Sequence, residues 1–218
     1  MNRYVWGVRV VPVMIIALCL SGGCTKKPDG ASALVGTIIA LDGEVAVNGA
    51  PAEANGKVEY GDTIITGLKS WCRIVVDERN IIKVGPDSLM VYRLRKDDGR
   101  LELRRGYMAA VLKNLKNVNE FRVTTPTVAA GIRGTALCVA AESPDKTYAC
   151  VCNGRIGFLP EGAKEEKLVA AAHHQAAHYV REKGKIVVKE AGMLFHTDKD
   201  IEAMAAEIGV AVDWSRIE

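Results

Sequence analysis

The sequence shows no strong excess of charge of either sign. Its 29 lysine and arginine residues are nearly balanced by 26 aspartate and glutamate residues, which leaves a formal net charge of +3. Both signs are mixed along the chain, so no basic patch predicts binding to nucleic acid. We therefore expect no nucleic-acid partner.

Motifs of several enzyme classes are also missing. The sequence contains no Gly-x-Ser-x-Gly nucleophile elbow, no phosphate-binding Gly-x4-Gly-Lys-Ser/Thr loop and no His-Glu-x-x-His pattern. No pair of carboxylates is set among apolar neighbours that would separate two pKa values for acid and base roles. We predict that the protein is not an enzyme, and we nominate no catalytic residue.

The N-terminal apolar segment is too short to span a bilayer comfortably. Residues 10–20 would have to cross about 30 Å of hydrocarbon, whereas their length and the basic flank of Arg3 and Arg9 are typical of a signal peptide. Small residues then precede Cys24, an arrangement that resembles a bacterial lipobox. We predict a lipoprotein signal peptide over residues 1–23 and lipidation of Cys24. The alternative is ordinary cleavage at the same place, which leaves Cys24 as an incidental thiol.

Lipidation would anchor the chain in a membrane. A diacylated and N-acylated cysteine holds a protein stably, because each buried methylene contributes about 0.8 kcal/mol. Thr25 follows the cysteine, and the absence of aspartate at that position resembles outer-membrane sorting. We expect residues 24–33 to form a polar tether and the protein to face the periplasm from the outer membrane.

Short runs of valine, isoleucine and threonine recur from residue 34 to residue 160. Glycine, asparagine, aspartate or proline interrupts them about every eight to twelve residues, which is typical of an all-β sandwich, barrel or short solenoid. Residues 97–99 and 143–146 carry turn-forming side chains and are predicted to close two hairpins.

The segment between residues 124 and 135 combines proline, glycine and arginine in an unusual way. Its notable residues are Thr125, Pro126, Gly131, Arg133, Gly134 and Thr135. Pro126 fixes its own φ angle and favours an extended residue before it, so we expect a corner there and a new strand from Thr135. Arg133 can donate to several loop carbonyls. The alternative is that it holds an anionic ligand or a partner's carboxylate.

This segment resembles the signature of the FecR domain, found in bacterial envelope proteins, which ends in a Thr-Pro turn followed by Arg-Gly-Thr and a strand. Residues 61–67, Gly-Asp-Thr-Ile-Ile-Thr-Gly, are similar to another turn of that family. The resemblance covers residues 34–160 and implies an exported all-β module that recognises a protein or another envelope partner, with a role in signalling. The family's best-known members are anti-sigma regulators with a cytoplasmic domain ahead of one membrane span. Only a short leader precedes the first apolar run here, so we do not expect that specific role.

Residues 161–218 differ in composition and are predicted to form a small α/β C-terminal extension of the FecR-like domain. Residues 167–181 are rich in alanine and fit either a helix or strands, because a β-like run follows at once. A helix is predicted after Thr197, which can cap its start, and Gly209 fits the C-terminal cap.

Cysteine and histidine side chains cluster in the second half of the chain. If residues 143–146 close a two-residue hairpin, Cys150 and Cys152 project from one face of a strand, and Cys138 lies across from Val151 on the other face. Thiolates and imidazoles are ligands of zinc, copper and similar metals. The predicted metal ligands are Cys150, Cys152, His173, His174, His178 and His196.

Two interpretations compete with a metal site. Free cysteine is often a small core residue, and thiols in an oxidising compartment form disulfides. The residues available for a disulfide are Cys72, Cys138, Cys150 and Cys152. We therefore expect no cofactor as the first interpretation and a transition metal as the second. The first functional prediction is recognition of an envelope partner, and the alternative is a metal-binding or redox protein.

Overall fold

A computed structural model describes residues 32–113 and 121–217 of the chain. The predicted signal peptide, the lipidation residue Cys24 and most of the tether lie outside the described residues. Within the described ranges the protein has fifteen strands and one short helix, which confirms the predicted all-β class with a small helical element near the C-terminus. No helix in this part of the chain is long and apolar enough to cross a membrane.

The elements are numbered in chain order. The first eight strands are β1 (Gly36–Asp42), β2 (Val45–Val47), β3 (Ala50–Pro51), β4 (Lys57–Val58), β5 (Thr63–Thr66), β6 (Trp71–Val76), β7 (Asn80–Val84) and β8 (Leu89–Leu94). The others are β9 (Gly99–Leu112), β10 (Phe121–Thr124), β11 (Val128–Ser143), β12 (Lys146–Pro160), β13 (Lys167–Ala171), β14 (Gln175–Glu182), β15 (Lys185–Ala191) and the helix α1 (Asp198–Glu207).

Three long strands hold the sheet together. The strands β9, β11 and β12 each pair with one set of neighbours over their first half and with another set over their second half. Two layers result, with the strand orders β4-β1-β6-β7-β9-β11-β12-β14-β15 and β3-β2-β5-β8-β9-β10-β11-β12-β13. All pairs are antiparallel except β9 with β10.

Glycines mark the places where the long strands pass from one layer to the other. Gly106, Gly134 and Gly154 have φ angles of 86°, 87° and 124°, which L side chains rarely adopt. A Cβ on Gly106 would lie 2.5 Å from the carbonyl oxygen of Asp87. The prediction of a new strand from Thr135 was therefore wrong: β11 begins at Val128 and continues through the glycines, because they bend the strand without ending its pairing.

Alternate residues of the long strands face two different apolar clusters. Leu137, Val139 and Val151 point into the main core between the layers. Cys138 and Cys150 point to the outer face of the first layer, where a second cluster lies. This alternation follows from the period of two along a strand.

Helix α1 covers the outer face of the first layer. Thr197 and Asp200 form a capping box at its start. Its end is closed by Gly209, whose φ angle is 66°, and by a bond from the amide of Val210 to the carbonyl of Ala205. The buried side chains Ile201, Met204 and Ala205 face the sheet. Both predicted caps are confirmed.

The alanine-rich segment before this helix is not helical. It forms strands β13 and β14, and β15 follows. Alanine favours a helix, but β13 and β14 here pair with β12, and this pairing satisfies their backbone hydrogen-bonding groups.

Candidate metal centre

The site begins on strand β12. Ala136 pairs with Asn153 and Leu137 pairs with Val151, so Cys152 is the extra residue of a β-bulge. A bulge re-aims side chains locally, and the Sγ atoms of Cys150 and Cys152 lie 3.9 Å apart. Both thiols are buried on the outer face of the first layer.

Cys138 lies on the same face as these thiols, and the expectation that it faces the other way was wrong. The predicted two-residue turn is present, since Ser143 pairs with Lys146. A second bulge then shifts the register by one residue, so that Cys138 lies directly opposite Cys150. A shift of one position turns every following side chain to the other face.

Two histidines meet the thiols from different parts of the chain. His174 lies in the connection between β13 and β14, and its Nδ1 atom is 3.6 Å from Cys150 Sγ. His196 directly precedes the cap of α1, and its Nε2 atom is 3.2 Å from Cys152 Sγ. The same Nε2 atom is 3.2 Å from His174 Nδ1.

These separations match those of a tetrahedral zinc site. Zinc bonds of about 2.3 Å to sulfur and about 2.0 Å to nitrogen place ligand atoms about 3.8 Å (S–S), about 3.5 Å (S–N) and about 3.3 Å (N–N) apart. One ligand atom from each of Cys150, Cys152, His174 and His196 lies within 4.8 Å of all the others. The four side chains can therefore hold one ion with little rearrangement.

The second nitrogen of each histidine has an acceptor. Asp198 Oδ1 lies 2.7 Å from His174 Nε2, and the carbonyl oxygen of Leu194 lies 2.7 Å from His196 Nδ1. An N–H donated to a carboxylate or carbonyl leaves the other nitrogen free to bind a metal and fixes the orientation of the ring. In both histidines the free nitrogen is the one that faces the thiols.

Charge in the cluster is distributed unequally between the two cysteines. A hydrogen bond from Cys152, opposed by burial and assisted by His174 and His196, lowers the pKa of Cys150 to about 3. Burial and the hydrogen bond to Cys150 raise the pKa of Cys152. Burial lowers the pKa of His174, but its bonds to Cys150 and Asp198 outweigh burial and raise it. In the metal-free cluster Cys150 is therefore the thiolate and Cys152 keeps its proton, and a metal ion that binds both sulfurs displaces that proton.

Two of the six predicted ligands lie outside this cluster of four. His173 is exposed, and its Nε2 atom contacts Asp198 Oδ2 at 3.1 Å. His178 pairs with Glu142 at 3.1 Å and lies opposite Tyr148 in the sheet. Since Ala176 is the residue opposite Cys150, His178 is two positions too far along β14 to reach the thiols.

The site is closed to solvent. The side-chain amide of Asn153 donates to the carbonyl oxygens of Asp213 at 3.0 Å and Arg216 at 2.9 Å, and so holds the C-terminal residues over the cluster. The ring of Trp214 packs 5.1 Å from that of His174. Cys150 contacts His174, which contacts Asp198, and a thiol, an imidazole and a carboxylate interact in this order in a thiol-protease triad. Here the Cys150 thiol is buried. Closed four-ligand sites are typical of structural metals, whereas catalytic sites keep an open position.

None of the cysteines in the described ranges is in a disulfide. Cys72, Cys138, Cys150 and Cys152 are all free and buried. Cys72 belongs to the main core, on the other face of the sheet from the remaining three.

The predicted role of Arg133 belongs to another residue. The Arg133 side chain is 71% exposed, and within the described ranges its ionic contact is Glu166 at 3.9 Å. Arg181 instead fastens the corner: its Nη2 atom donates to the carbonyl of Pro126 at 3.0 Å, and its guanidinium also pairs with Asp145 and Glu161. Thr125 closes the corner locally through Val128.

Several residues of the site were missed from the sequence. Asp198 was assigned only to the start of the helix, and Asn153 and Trp214 were not assigned. The weak signal for Asp198 was its position two residues after His196 in His-Thr-Asp. Asn153 and Trp214 act through tertiary contacts that no local pattern indicates.

Part of the β body is similar to a known family. Residues 62–157 match the family described as FecR protein. The matched segment runs from the start of β5 into β12; it contains both cysteine ligands and ends before His174 and His196. No curated protein matches the chain.

Two solved structures are similar in part. Both are crystal structures of a candidate anti-sigma factor from Parabacteroides distasonis, each with 14% identity and a TM-score of 0.49. Each alignment covers 59% of this chain and 59% of that chain, so the chain spans about three fifths of that protein.

Proposed function

We propose that this protein is a non-enzymatic metal-binding member of the cell envelope, in which Cys150, Cys152, His174 and His196 hold one transition-metal ion. The observation that carries the proposal is the agreement between the distances among the four ligand atoms and those of a tetrahedral S2N2 site. Two thiolates and two imidazoles favour zinc.

The ion's role is to fix the C-terminal part of the chain on the β body. The two cysteines belong to β12, His174 to a connection between strands, and His196 to the residue before the helix cap. One ion therefore links three segments that are far apart in sequence. Helix α1 has only ten residues, and a helix that short is marginal in water unless it is held by tertiary contacts.

Metal analysis of the reduced protein tests this proposal. The chain is purified without a histidine tag, and its zinc content is measured per chain. We expect about one ion in the wild type and none in a Cys150→Ser/Cys152→Ser variant. Cys72→Ala is the matched control, because Cys72 is equally buried but lies on the other face of the sheet. A wild-type protein that binds no zinc, copper or iron would refute the metal centre.

Recognition of an envelope partner is the second function that we propose. The match of residues 62–157 to the FecR family supports a regulatory or signalling role. In this proposal the β domain faces the periplasm and is held at the outer membrane by acylated Cys24. Labelled palmitate incorporation tests the anchor, which is contradicted if a Cys24→Ala variant keeps the label. Chemical crosslinking in intact envelopes, followed by purification, tests for a protein partner.

A further inference from the structure

We propose that Cys138 and Cys150 form a modification site: an oxidant of the peroxide class converts them into a cross-strand disulfide, which removes Cys150 from the metal centre. This inference rests on the proposed metal centre. It gives a role to Cys138, which is buried beside the cluster but is not among its four ligand residues.

The register of the sheet brings the two residues together. Cys138 on β11 pairs with Cys150 on β12 in an antiparallel ladder. Directly opposed residues in such a ladder have Cα atoms about 4.5 to 5.5 Å apart, which lies within the range of about 4.4 to 6.8 Å found in disulfides. Both side chains point to the same outer cluster, so the bond requires side-chain rotation rather than a shift of strands.

The other cysteine pairs are distinguished by their positions. Cys150 and Cys152 are both proposed metal ligands, with Sγ atoms 3.9 Å apart beside a bulge, and their disulfide is the competing product that peptide mapping must separate. Cys72 lies on the other face of the sheet. The residues that flank Cys138 on its own face, Ala136 and Ala140, have small side chains.

The chemistry balances with one peroxide per disulfide. The Cys150 sulfur attacks one oxygen of hydrogen peroxide; the O–O bond breaks, and a sulfenic acid forms with release of hydroxide, which takes up a proton to become water. The Cys138 sulfur then attacks the Cys150 sulfur; the S–S bond forms, the S–OH bond breaks, and a second water leaves with the thiol proton. Two electrons pass from the two sulfurs to the peroxide. A sulfur in a disulfide is no longer a thiolate, so the site keeps three ligands and its metal affinity falls.

The experiment treats the zinc-loaded full chain with hydrogen peroxide, which is chosen because it is close to water in size and the thiols are buried. A chromogenic chelator reports zinc release, and peptide mapping without reduction identifies the crosslink. We expect release of about one zinc per chain, a Cys138–Cys150 crosslink, and recovery of the zinc content after dithiothreitol and fresh zinc. A map that shows only Cys150–Cys152, or only a sulfinic acid on Cys150, overturns the proposal.

A Cys138→Ala variant provides the second arm. The reduced variant should bind zinc like the wild type, which also shows that it is folded, because Cys138 is not a ligand. After peroxide it should recover at least about tenfold less zinc than the wild type, since a sulfenic acid without its resolving thiol is oxidised to the irreversible sulfinic acid. Equal recovery in the two proteins overturns the proposal. Cys138→Ser is the alternative if the alanine variant fails to fold, and Cys72→Ala should behave as the wild type.

Failure of the metal centre can be distinguished from failure of the disulfide. If the reduced wild type binds no metal, the metal centre is refuted, while the peptide map of the peroxide-treated metal-free protein still shows whether Cys138 and Cys150 react with each other. If the wild type binds zinc and the crosslink never forms, only the oxidation site is refuted.

Discussion

In the proposed metal centre, Asp198 should control metal affinity without contacting the ion. Its Oδ1 atom lies 2.7 Å from His174 Nε2, the nitrogen that points away from the thiols. A carboxylate in this position holds the ring in place and makes the opposite nitrogen a better donor to a metal. Replacement of Asp198 by asparagine keeps an oxygen that can accept the same hydrogen bond but removes the charge.

We expect the Asp198→Asn variant to bind zinc about 10- to 100-fold more weakly, a loss of about 1.4 to 2.7 kcal/mol. The lower end applies if the asparagine oxygen keeps its bond to the ring, and an Asp198→Ala variant should reach the upper end. Zinc affinity is measured in the reduced protein by competition with a chelator of known affinity. Fluorescence supplies a second signal, because Trp214 packs 5.0 and 5.1 Å from the rings of His173 and His174.

Two controls separate this effect from its alternatives. His173→Gln removes the exposed histidine that pairs with the same Asp198 carboxylate. Loss of this pair should change zinc affinity by less than about fivefold, because surface pairs contribute about 0 to 1 kcal/mol. Asp200→Asn removes the other acid of the first helical turn, whose carboxylate contacts Thr197 rather than a ligand. The reasoning is refuted if Asp198→Asn binds zinc within threefold of the wild type, or if Asp200→Asn weakens binding equally.

Three further predictions concern pH, packing and backbone geometry. The pKa of Cys152 is raised, so zinc should displace its thiol proton, and calorimetry in buffers of different ionisation enthalpy should show proton release. The pKa of His174 is also raised, so zinc affinity should fall as pH decreases through that pKa. Met204→Ala should lower the free energy of unfolding by about 2 to 5 kcal/mol in denaturant titrations, because Met204 is buried against the sheet. The control Lys199→Ala, at an exposed position of the same helix, should change the free energy of unfolding by less than about 0.5 kcal/mol. Gly154→Ala should lower the free energy of unfolding by about 2 kcal/mol or more, because the φ angle of Gly154 is 124° and a Cβ there would lie 2.6 Å from the Cβ of Thr135. The control is Gly184→Ala, where φ is 78° but a Cβ meets no atom within 4 Å, and its loss of stability should be smaller. Equal losses in the two variants would contradict the argument.

Much of the fold could be predicted from local patterns. The alternation of apolar residues gave the β class. The turn at residues 143–146 and both caps of α1 were identified because the turn residues, Thr197 and Gly209 set the conformation of their own part of the backbone. The strands β13 to β15 were left undecided, since alanine favours a helix in isolation and only the neighbouring strand β12 makes an extended conformation better.

The sequence predicted that cysteine and histidine side chains form the candidate site, but it did not predict which of the six residues come together. Bulges at two places in the pairing of β11 with β12 set the positions of Cys138 and Cys152, and bulges leave no clear mark in the sequence. His178 could not be separated from His174, because residues 167–181 fitted either a helix or strands. Arg133 was predicted to fasten the corner because it lies between two glycines close to the corner in sequence. The contact of Arg181 with Pro126 was not predicted, because it depends on the return of β14.

The position of the FecR match has a consequence for evolution. The segment that matches the family ends at residue 157, so it includes both proposed thiol ligands but neither proposed imidazole ligand. A descendant that lost the C-terminal segment would retain two thiols with half a coordination sphere, newly open to solvent. We therefore expect homologues either to keep the Cys-x-Cys pair and the two distant histidines together or to lack all four residues. An alignment of homologues in which the four positions vary independently would argue against the binding of one ion by all four.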